Sequence, residues 1–513
     1  MHLQCICGRA GSGKTHYLSQ AIANAIAQGH HALLIVPDQY TLQAEQALIS
    51  QMGTCGLMDA EVLSFTRLCE RVLEQTGGLA KPMLDQRGRA MAISRILLAE
   101  QDAWRAYGKY VHSPHFASTL AGEIGELKRF DITPEQLAQA AQGQARLLDI
   151  AHAYAQYEEQ IGQTYADTQD RLNQMIEQLP SYMPLRQSCV FIDGFEMLTS
   201  QIYRAVEAIL HHAVSLHVTF RLGQPHDPDW PLFAVEEKHH RRILRIAEQA
   251  GATVSHLWLP LSDTPRHTTH EDLLHAERAL FASVPMIYPK PVTNMRVFRA
   301  ASMTEEADHC AQQILSLAQE QGMRFGQMAV VAADLTTYGP LLERAFRTYG
   351  IPSFLDRKRT VATHPLARYV LLSLRVIQRG YAAQDVLALG KTGLSALCES
   401  DLDELEQLLL TKGIRYLSAS YKPSWREGLD IYCGLRDTLL TPQYTLQAAL
   451  RSADTAAEQA RAIADFLQQS GLVERAESQR AEMAERGDRD GAMEIEQVYQ
   501  TIGTVLRLSL IHI

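Results

Sequence analysis

The chain has 513 residues, of which 46% are hydrophobic and 21% charged, and its formal net charge is −10. This length allows about two to four domains, and the acidic balance excludes a small, wholly basic nucleic-acid-binding protein while leaving room for a local basic channel. No apolar stretch reaches the ~18 residues that a membrane-spanning helix needs, so no association with a membrane is expected.

The first fifteen residues predict a phosphate-binding loop. An apolar run at 3–7 is typical of a buried strand, apolar residues recur at helical spacing from Thr15 to Gly29, and the pattern G-x-x-x-x-G-K-[ST] lies between them. Glycines let successive backbone N–H groups point at phosphate oxygens, Lys14 would reach the β- and γ-phosphates, and the Thr15 hydroxyl would hold Mg²⁺. The alternative is an ordinary strand–turn–helix with an exposed lysine. We expect ATP and Mg²⁺ as ligands, and the predicted nucleotide-binding residues are Gly8, Arg9, Ala10, Gly11, Ser12, Gly13, Lys14 and Thr15.

Two further strands follow this loop. The runs 32–36 and 60–65 are typical of buried parallel strands, and helical patterns follow them at 41–51 and 66–75. This order predicts an α/β fold whose parallel sheet is doubly wound. From about 79 to 185 helical periodicity dominates, which predicts an all-helical insertion.

The insertion carries four basic residues for which two interpretations are open. Arg87, Arg89, Lys128 and Arg129 are most simply solvated charges, and contact with a DNA backbone is the alternative.

The sheet is expected to resume at 189–192, where four apolar residues end in Asp193. An aspartate at the C-terminal end of a strand beside the P-loop strand can hold Mg²⁺ through water, which is the Walker B pattern. The alternative is an aspartate that caps the next helix. We predict that Thr15 and Asp193 are the metal residues.

A strand at 216–220 and a helix at about 232–250 complete the first half. The helix contains His239 and His240, which are neighbours and therefore poorly spaced to share a metal, so a solvated helix face is expected. The eight cysteines contain no C-x-x-C pair, so no zinc ribbon or cluster site is indicated. Their scatter, together with the lack of a signal peptide, indicates a reducing cytoplasm.

A second α/β unit is predicted beyond a linker at 285–291. Its expected strands are 295–298, 328–332 and 353–355, its expected helices are 304–320 and 341–349, and 356–359 is a basic loop. The chain is then predominantly helical from His364. Residues 506–513 carry no terminating signal, and 508–513 are suspected to be non-native at a truncated end.

These elements resemble a superfamily 1 helicase, with RecA-like parallel-sheet domains and helical insertions. The implied domains are 1–80 with 186–290 (1A-like), 81–185 (1B-like), 294–385 (2A-like) and 386–513 (2B-like, truncated). More closely, the chain resembles the N-terminal half of the AddB (RexB) family, the second subunit of the bacterial helicase–nuclease AddAB. The stretches that carry this likeness are 8–15, 34–39, 62–68, 77–78, 191–195, 338–342, 351–356, 364–366 and 391–394.

The resemblance implies a cytoplasmic heterodimer with an AddA-type helicase–nuclease subunit that processes double-strand breaks for recombinational repair. Its substrates would be double-stranded DNA ends and single-stranded DNA. In this family AddB contributes Chi recognition, a helicase-like fold without motor activity, and a nuclease with a four-cysteine iron–sulfur cluster. The ligands of that cluster and the nuclease residues would lie outside this chain, so no catalytic residue is predicted in it.

Departures from the helicase pattern predict that ATP is bound but poorly hydrolysed. Gly194 stands where a working Walker B has a glutamate, and Asp334 stands near the position of the expected arginine. The resemblance also suggests contacts to single-stranded DNA by Gln39, Ser64, Thr66 and Arg67, each of which could equally be a cap or a local hydrogen bond. The alternatives to a scaffold subunit are an active DNA translocase and, less suitably for this size, a small-molecule kinase.

Overall fold

The computed structural model describes residues 1–53, 56–78, 81–224, 227, 229–260, 270–282, 284–355, 360–418 and 428–510. The chain divides into two compact units, Met1–Arg296 and Val297–Ile513.

The first unit is built on a six-stranded sheet in which every strand pairing is parallel. The strand order is β3-β2-β4-β5-β1-β6. The strands are β1 His2–Gly8, β2 His31–Ile35, β3 Ala60–Leu63, β4 Ser188–Ile192, β5 Ser215–Arg221 and β6 Thr253–Trp258. The predicted α/β class with a doubly wound parallel sheet is confirmed.

Helices cover both faces of this sheet because its central strands are apolar on both sides. The helices of the first unit, among the described residues, are α1 Lys14–Ala27, α2 Thr41–Met52, α3 Phe65–Thr76, α4 Gln86–Ala99, α5 Pro114–Arg129, α6 Pro134–Ala140, α7 Ala145–Gln160, α8 Thr168–Gln178, α9 Ser200–His212, α10 Ala234–Gln249 and α11 Glu271–Ala279. Ile6 of β1 packs towards α1 and α2, whereas Cys5 and Cys7 face the side occupied by α3, α9 and α10. The alternation of strand side chains thus places neighbouring β1 residues in two separate cores.

Strand β6 is an element that the sequence interpretation missed. It pairs with β1 at the edge of the sheet, and its residues are half-buried or exposed. Because an edge strand does not need a continuous apolar run, its mixed sequence lacked the signal that identified the central strands.

The predicted helical insertion is confirmed by α4–α8, but one of its basic residues was misjudged. Lys128 is buried and forms ion pairs with Glu158, Asp167 and Asp170, so it is neither a solvated charge nor free for DNA. Arg89 is half-buried and donates to the Gln169 side chain at 3.3 Å. The exposed Arg87 and Arg129 agree with the prediction of solvated charges.

The described part of the second unit consists of helices. They are α12 Met303–Gln321, α13 Leu335–Thr348, α14 Pro365–Gln378, α15 Ala383–Gly390, α16 Glu399–Thr411, α17 Leu429–Ser452, α18 Ala456–Gln469, α19 Leu472–Glu485 and α20 Arg489–Leu510. The two predicted helices and the helical region after His364 are confirmed, and the basic loop 356–359 lies outside the described residues. Among the described helices, none is both long and apolar enough to cross a membrane.

The strands predicted at 295–298, 328–332 and 353–355 are not formed. A strand needs a neighbour for its backbone N–H and C=O groups, and these segments have no ladder partner among the described residues. Their apolar side chains are correspondingly left in solvent: Val297 is 100% exposed, Val331 94% and Phe354 91%. Local apolar character predicted these strands, but it could not supply their partners.

Candidate nucleotide site

The P-loop connects β1 to α1 through backbone conformations that favour glycine. Gly11 and Gly13 have φ of 79° and 88°, in the left-handed region, and α1 begins at Lys14. A Cβ at Gly8 would lie 2.2 Å from the Ser12 Oγ, so the first glycine is required by close packing within the loop. The N-terminus of α1 faces the loop, and such a terminus favours anions.

The Lys14 ammonium is held inside the loop that it would serve. Its Nζ donates to the carbonyl oxygens of Gly8 at 2.6 Å and Arg9 at 2.7 Å. Burial lowers the pKa of Lys14 to about 8, against the opposing effect of the Asp193 charge. A phosphate would supply the strong negative partner that this desolvated cation lacks.

Thr15 and Asp193, predicted from positions 178 residues apart, come together. The Thr15 hydroxyl donates to one Asp193 carboxylate oxygen at 3.2 Å, and Thr219 donates to the other at 2.5 Å. Asp193 follows β4 directly, whereas α9 is capped by Thr199, so the alternative of an aspartate that caps the helix is wrong. A hydroxyl beside a carboxylate is the oxygen donor set that Mg²⁺ prefers.

One further feature fits a phosphate ligand. The Ser12 Oγ is buried without a hydrogen-bond partner. Buried polar atoms are usually satisfied, so this hydroxyl is suited to a ligand atom within the loop.

Arg9 has a structural role that its position in the motif did not reveal. Its buried guanidinium is bonded to Asp229, Asp227 and Glu277, and it lies 5.1 Å from the centre of the Phe233 ring. Burial alone would lower the Arg9 pKa, but these carboxylates raise it above its ordinary value. The side chain of Arg9 therefore anchors the loop, and its backbone remains the part that could bind phosphate.

The residues after Asp193 lack a carboxylate placed to activate water. Gly194 has φ of 78°, a conformation that side chains other than glycine rarely adopt. Glu196, the next acid along the chain, has a side chain that is 75% exposed and pairs with Arg221 at 3.2 Å.

The residues suggested for DNA contact lie where β2 and β3 end. Gln39, Thr66 and Arg67 are exposed, and Thr66 donates to Asp38 at 3.3 Å. Ser64 is buried, and its hydroxyl caps α3 by accepting from the Arg67 N–H at 3.2 Å. Of the two interpretations left open for Ser64, the helix cap is the one observed. Tyr40, 45% exposed beside Gln39, is an aromatic residue at this edge that the sequence interpretation did not single out.

The histidine pair of α10 was also misjudged in part. His239 bonds to the Tyr203 hydroxyl, and His240 is buried against the sheet, so the prediction of a solvated face is wrong for His240.

Together, the parallel sheet and the loop that links β1 to α1 define a P-loop protein of the RecA-like α/β class. A family model described as "ADDB, N-terminal" matches residues 5–277. The chain belongs to this family.

Named relatives extend the similarity beyond the first unit. The B subunit of the ATP-dependent helicase/deoxyribonuclease from Alkaliphilus oremlandii is 32% identical over 425 residues, which are 81% of this chain and 37% of the relative. The protein of the same name from Acetivibrio thermocellus is 29% identical over 534 residues, covering 98% of this chain and 46% of the relative. That of Desulforudis audaxviator is 33% identical over 432 residues. The chain thus spans less than half the length of these relatives.

Proposed function

We propose that this chain is the N-terminal, helicase-like part of the AddB component of an ATP-dependent helicase/deoxyribonuclease. In this proposal it acts in the cytoplasm with an AddA-type partner, binds DNA ends and single-stranded DNA during double-strand break repair, and contributes to Chi recognition. Residues 1–80 with 186–290 would be the 1A-like domain, 81–185 the 1B-like insertion, 294–385 the 2A-like domain and 386–513 the 2B-like insertion. The names of the relatives support this assignment. The nuclease and its iron–sulfur cluster would belong to sequence outside this chain.

The observation that carries the proposal is a site equipped to bind Mg-ATP but poorly equipped to hydrolyse it. Lys14 would pair with the β- and γ-phosphates, and Thr15 and Asp193 would hold Mg²⁺. Bound Mg²⁺ would neutralise phosphate charge and bridge the phosphate oxygens. The Thr15–Asp193 hydrogen bond of 3.2 Å supports this role, because both groups already lie at one point of the crevice.

Hydrolysis needs, in addition, a group that orients the attacking water. Gly194 has no side chain, and Glu196 is paired with Arg221 at the protein surface. General bases typically contribute about 10²–10⁴ in rate, so a site without one would hold ATP for long periods. We infer that the nucleotide has a structural or regulatory role here.

The experiment that tests this function compares binding with turnover in the purified chain. Mg-ATP binding is measured by equilibrium dialysis, and phosphate release is measured with and without single-stranded DNA. We expect stoichiometric binding and no phosphate release above that of Lys14→Ala. Robust turnover that Lys14→Ala abolishes would overturn the non-motor assignment in favour of an active translocase. Absence of ATP binding would overturn the nucleotide site itself.

The edge formed by Gln39, Thr66 and Arg67 is the proposed contact with single-stranded DNA. Polar side chains at the carboxyl ends of parallel strands face the ligand crevice in open α/β sheets. Arg67 provides the positive charge for a phosphate, and the contact would be independent of base sequence.

Replacing Arg67 with alanine is expected to weaken oligonucleotide binding about two- to fivefold and to reduce the salt slope by about 1. Fluorescence anisotropy across a series of salt concentrations measures both quantities. Arg71→Ala is the matched control, because Arg71 lies one turn further along α3 and pairs with Glu61 at 3.5 Å. Equal effects of the two substitutions would argue against a specific contact by Arg67.

A further inference from the structure

Three potential metal ligands converge on the sheet face opposite α1. Cys5 of β1 and His256 of β6 are direct partners in the parallel register, and His240 reaches them from α10. Their ligand atoms, one sulfur and two imidazole nitrogens, all lie within 4.8 Å of one another. The three residues come from distant parts of the chain, so no spacing motif indicates them.

His240 provides the independent sign that a ligand is required. Its side chain is only 8% exposed, and its Nε2 is buried without a hydrogen-bond partner. The ring contacts Phe220 edge-on, with centroids 4.8 Å apart, and His256, with centroids 5.4 Å apart. A buried imidazole nitrogen normally has a partner, and a metal ion would provide one here.

Burial keeps these groups neutral before any metal binds. Desolvation lowers the pKa of His240 to about 4 and raises that of Cys5 to about 12. Neutral imidazole is the form that ligates metals. The thiol would lose its proton as the ion binds, because the positive ion stabilises the thiolate that burial disfavours.

The donor set selects the metal. One thiolate with two imidazoles suits Zn²⁺ and is unsuited to Mg²⁺ or Ca²⁺, which require oxygen ligands. Tetrahedral Zn²⁺ with bonds of about 2.0–2.3 Å would need ligand separations of roughly 3.3–3.6 Å. The gap from the present arrangement is about 1 Å, and the exposed side chain of His256 can move to close it. Water can reach a fourth position from the same exposed side.

We propose that Cys5, His240 and His256 form a zinc site that ties α10 and the edge strand β6 to β1. Cys5 lies three residues before Gly8, so the ion would stabilise the strand from which the P-loop departs. The site is separate from the nucleotide crevice and does not depend on the proposed function.

The proposal is tested on chelator-treated protein titrated with Zn²⁺ alone. We expect one high-affinity Zn²⁺ per chain and a rise in the thermal unfolding temperature. With Co²⁺ as the probe, we expect a thiolate-to-metal charge-transfer band and the visible bands of a tetrahedral site. His256→Gln removes a ligand from an exposed position, so the variant should fold. It should weaken Zn²⁺ binding by more than the roughly 10–100-fold that loss of an outer-shell partner costs.

Matched controls separate this site from adventitious binding to other histidines and thiols. Cys5→Ala should abolish the charge-transfer band, whereas Cys7→Ala, a buried thiol on the same face of the same strand, should retain it. Zinc binding that is absent in the unsubstituted chain, or unchanged in both His256→Gln and Cys5→Ala, would overturn the proposal. ATP binding serves as the measure of correct folding throughout.

Discussion

Replacing Lys14 with alanine is expected to weaken Mg-ATP binding by about one to two orders of magnitude while leaving the fold intact. The Lys14 ammonium is largely desolvated and bonded only to carbonyl oxygens of its own loop. Its hydrogen bonds to a charged phosphate should be worth ~1.5–3 kcal/mol, which corresponds to that loss of affinity. The fold should survive because the side chain faces the ligand and not the hydrophobic core.

The same interaction predicts a pH dependence of ATP affinity. Because burial lowers the pKa of Lys14 to about 8 in the free protein, the ammonium is present below pH 8 and lost above it. Phosphate binding favours the charged form, so affinity should be full below pH 8. It should then fall by up to about tenfold per pH unit as pH rises further. Lys14→Ala should lack this dependence.

Titration with a fluorescent ATP analogue from pH 6.5 to 9.5 measures both effects, with circular dichroism as the check on folding. Lys81→Ala is a suitable control, because Lys81 also donates to a backbone carbonyl, that of Gly162 at 2.6 Å, but lies outside the P-loop. Unchanged ATP affinity in Lys14→Ala would contradict the P-loop assignment.

Replacing Lys128 with alanine is expected to destabilise the first unit by ~3–5 kcal/mol, since it leaves buried carboxylates without their counter-charge. Lys128 of α5 lies 2.9 Å from both Asp167 and Glu158 and also pairs with Asp170. Burial alone would lower the Lys128 pKa, but these carboxylates raise it above its ordinary value. Burial alone would likewise raise the Asp167 pKa, and Lys128 reverses that shift.

Thermal and urea unfolding measure this loss, which corresponds to a fall on the order of 10 °C in the unfolding temperature. Arg129→Ala is the matched control, because Arg129 is the next residue, is exposed, and pairs with Glu126 three positions earlier. It should cost no more than ~0.5 kcal/mol. The deficit of Lys128→Ala should shrink as pH falls, since protonation removes the repulsion between its unpaired carboxylates. Equal stability of the two variants would contradict the buried network.

The sequence alone determined the features that local pattern encodes. Continuous apolar runs identified the central strands, because a parallel strand covered on both faces must be apolar throughout. The glycines and Lys14 identified the P-loop, because a backbone that wraps a phosphate needs left-handed conformations at fixed positions. The meeting of Thr15 with Asp193 also followed from sequence, since the carboxyl ends of parallel strands share one edge of the sheet.

Only the tertiary structure decided which distant groups became partners. It paired Arg9 with Asp229, buried Lys128 among carboxylates, and brought His240 to Cys5. It also left the apolar segments of the second unit without strand neighbours among the described residues. Burial and charge pairing depend on residues that are far apart in the chain and adjacent only after folding. A spacing rule, which registers only neighbours along one strand or helix, carries no information about them.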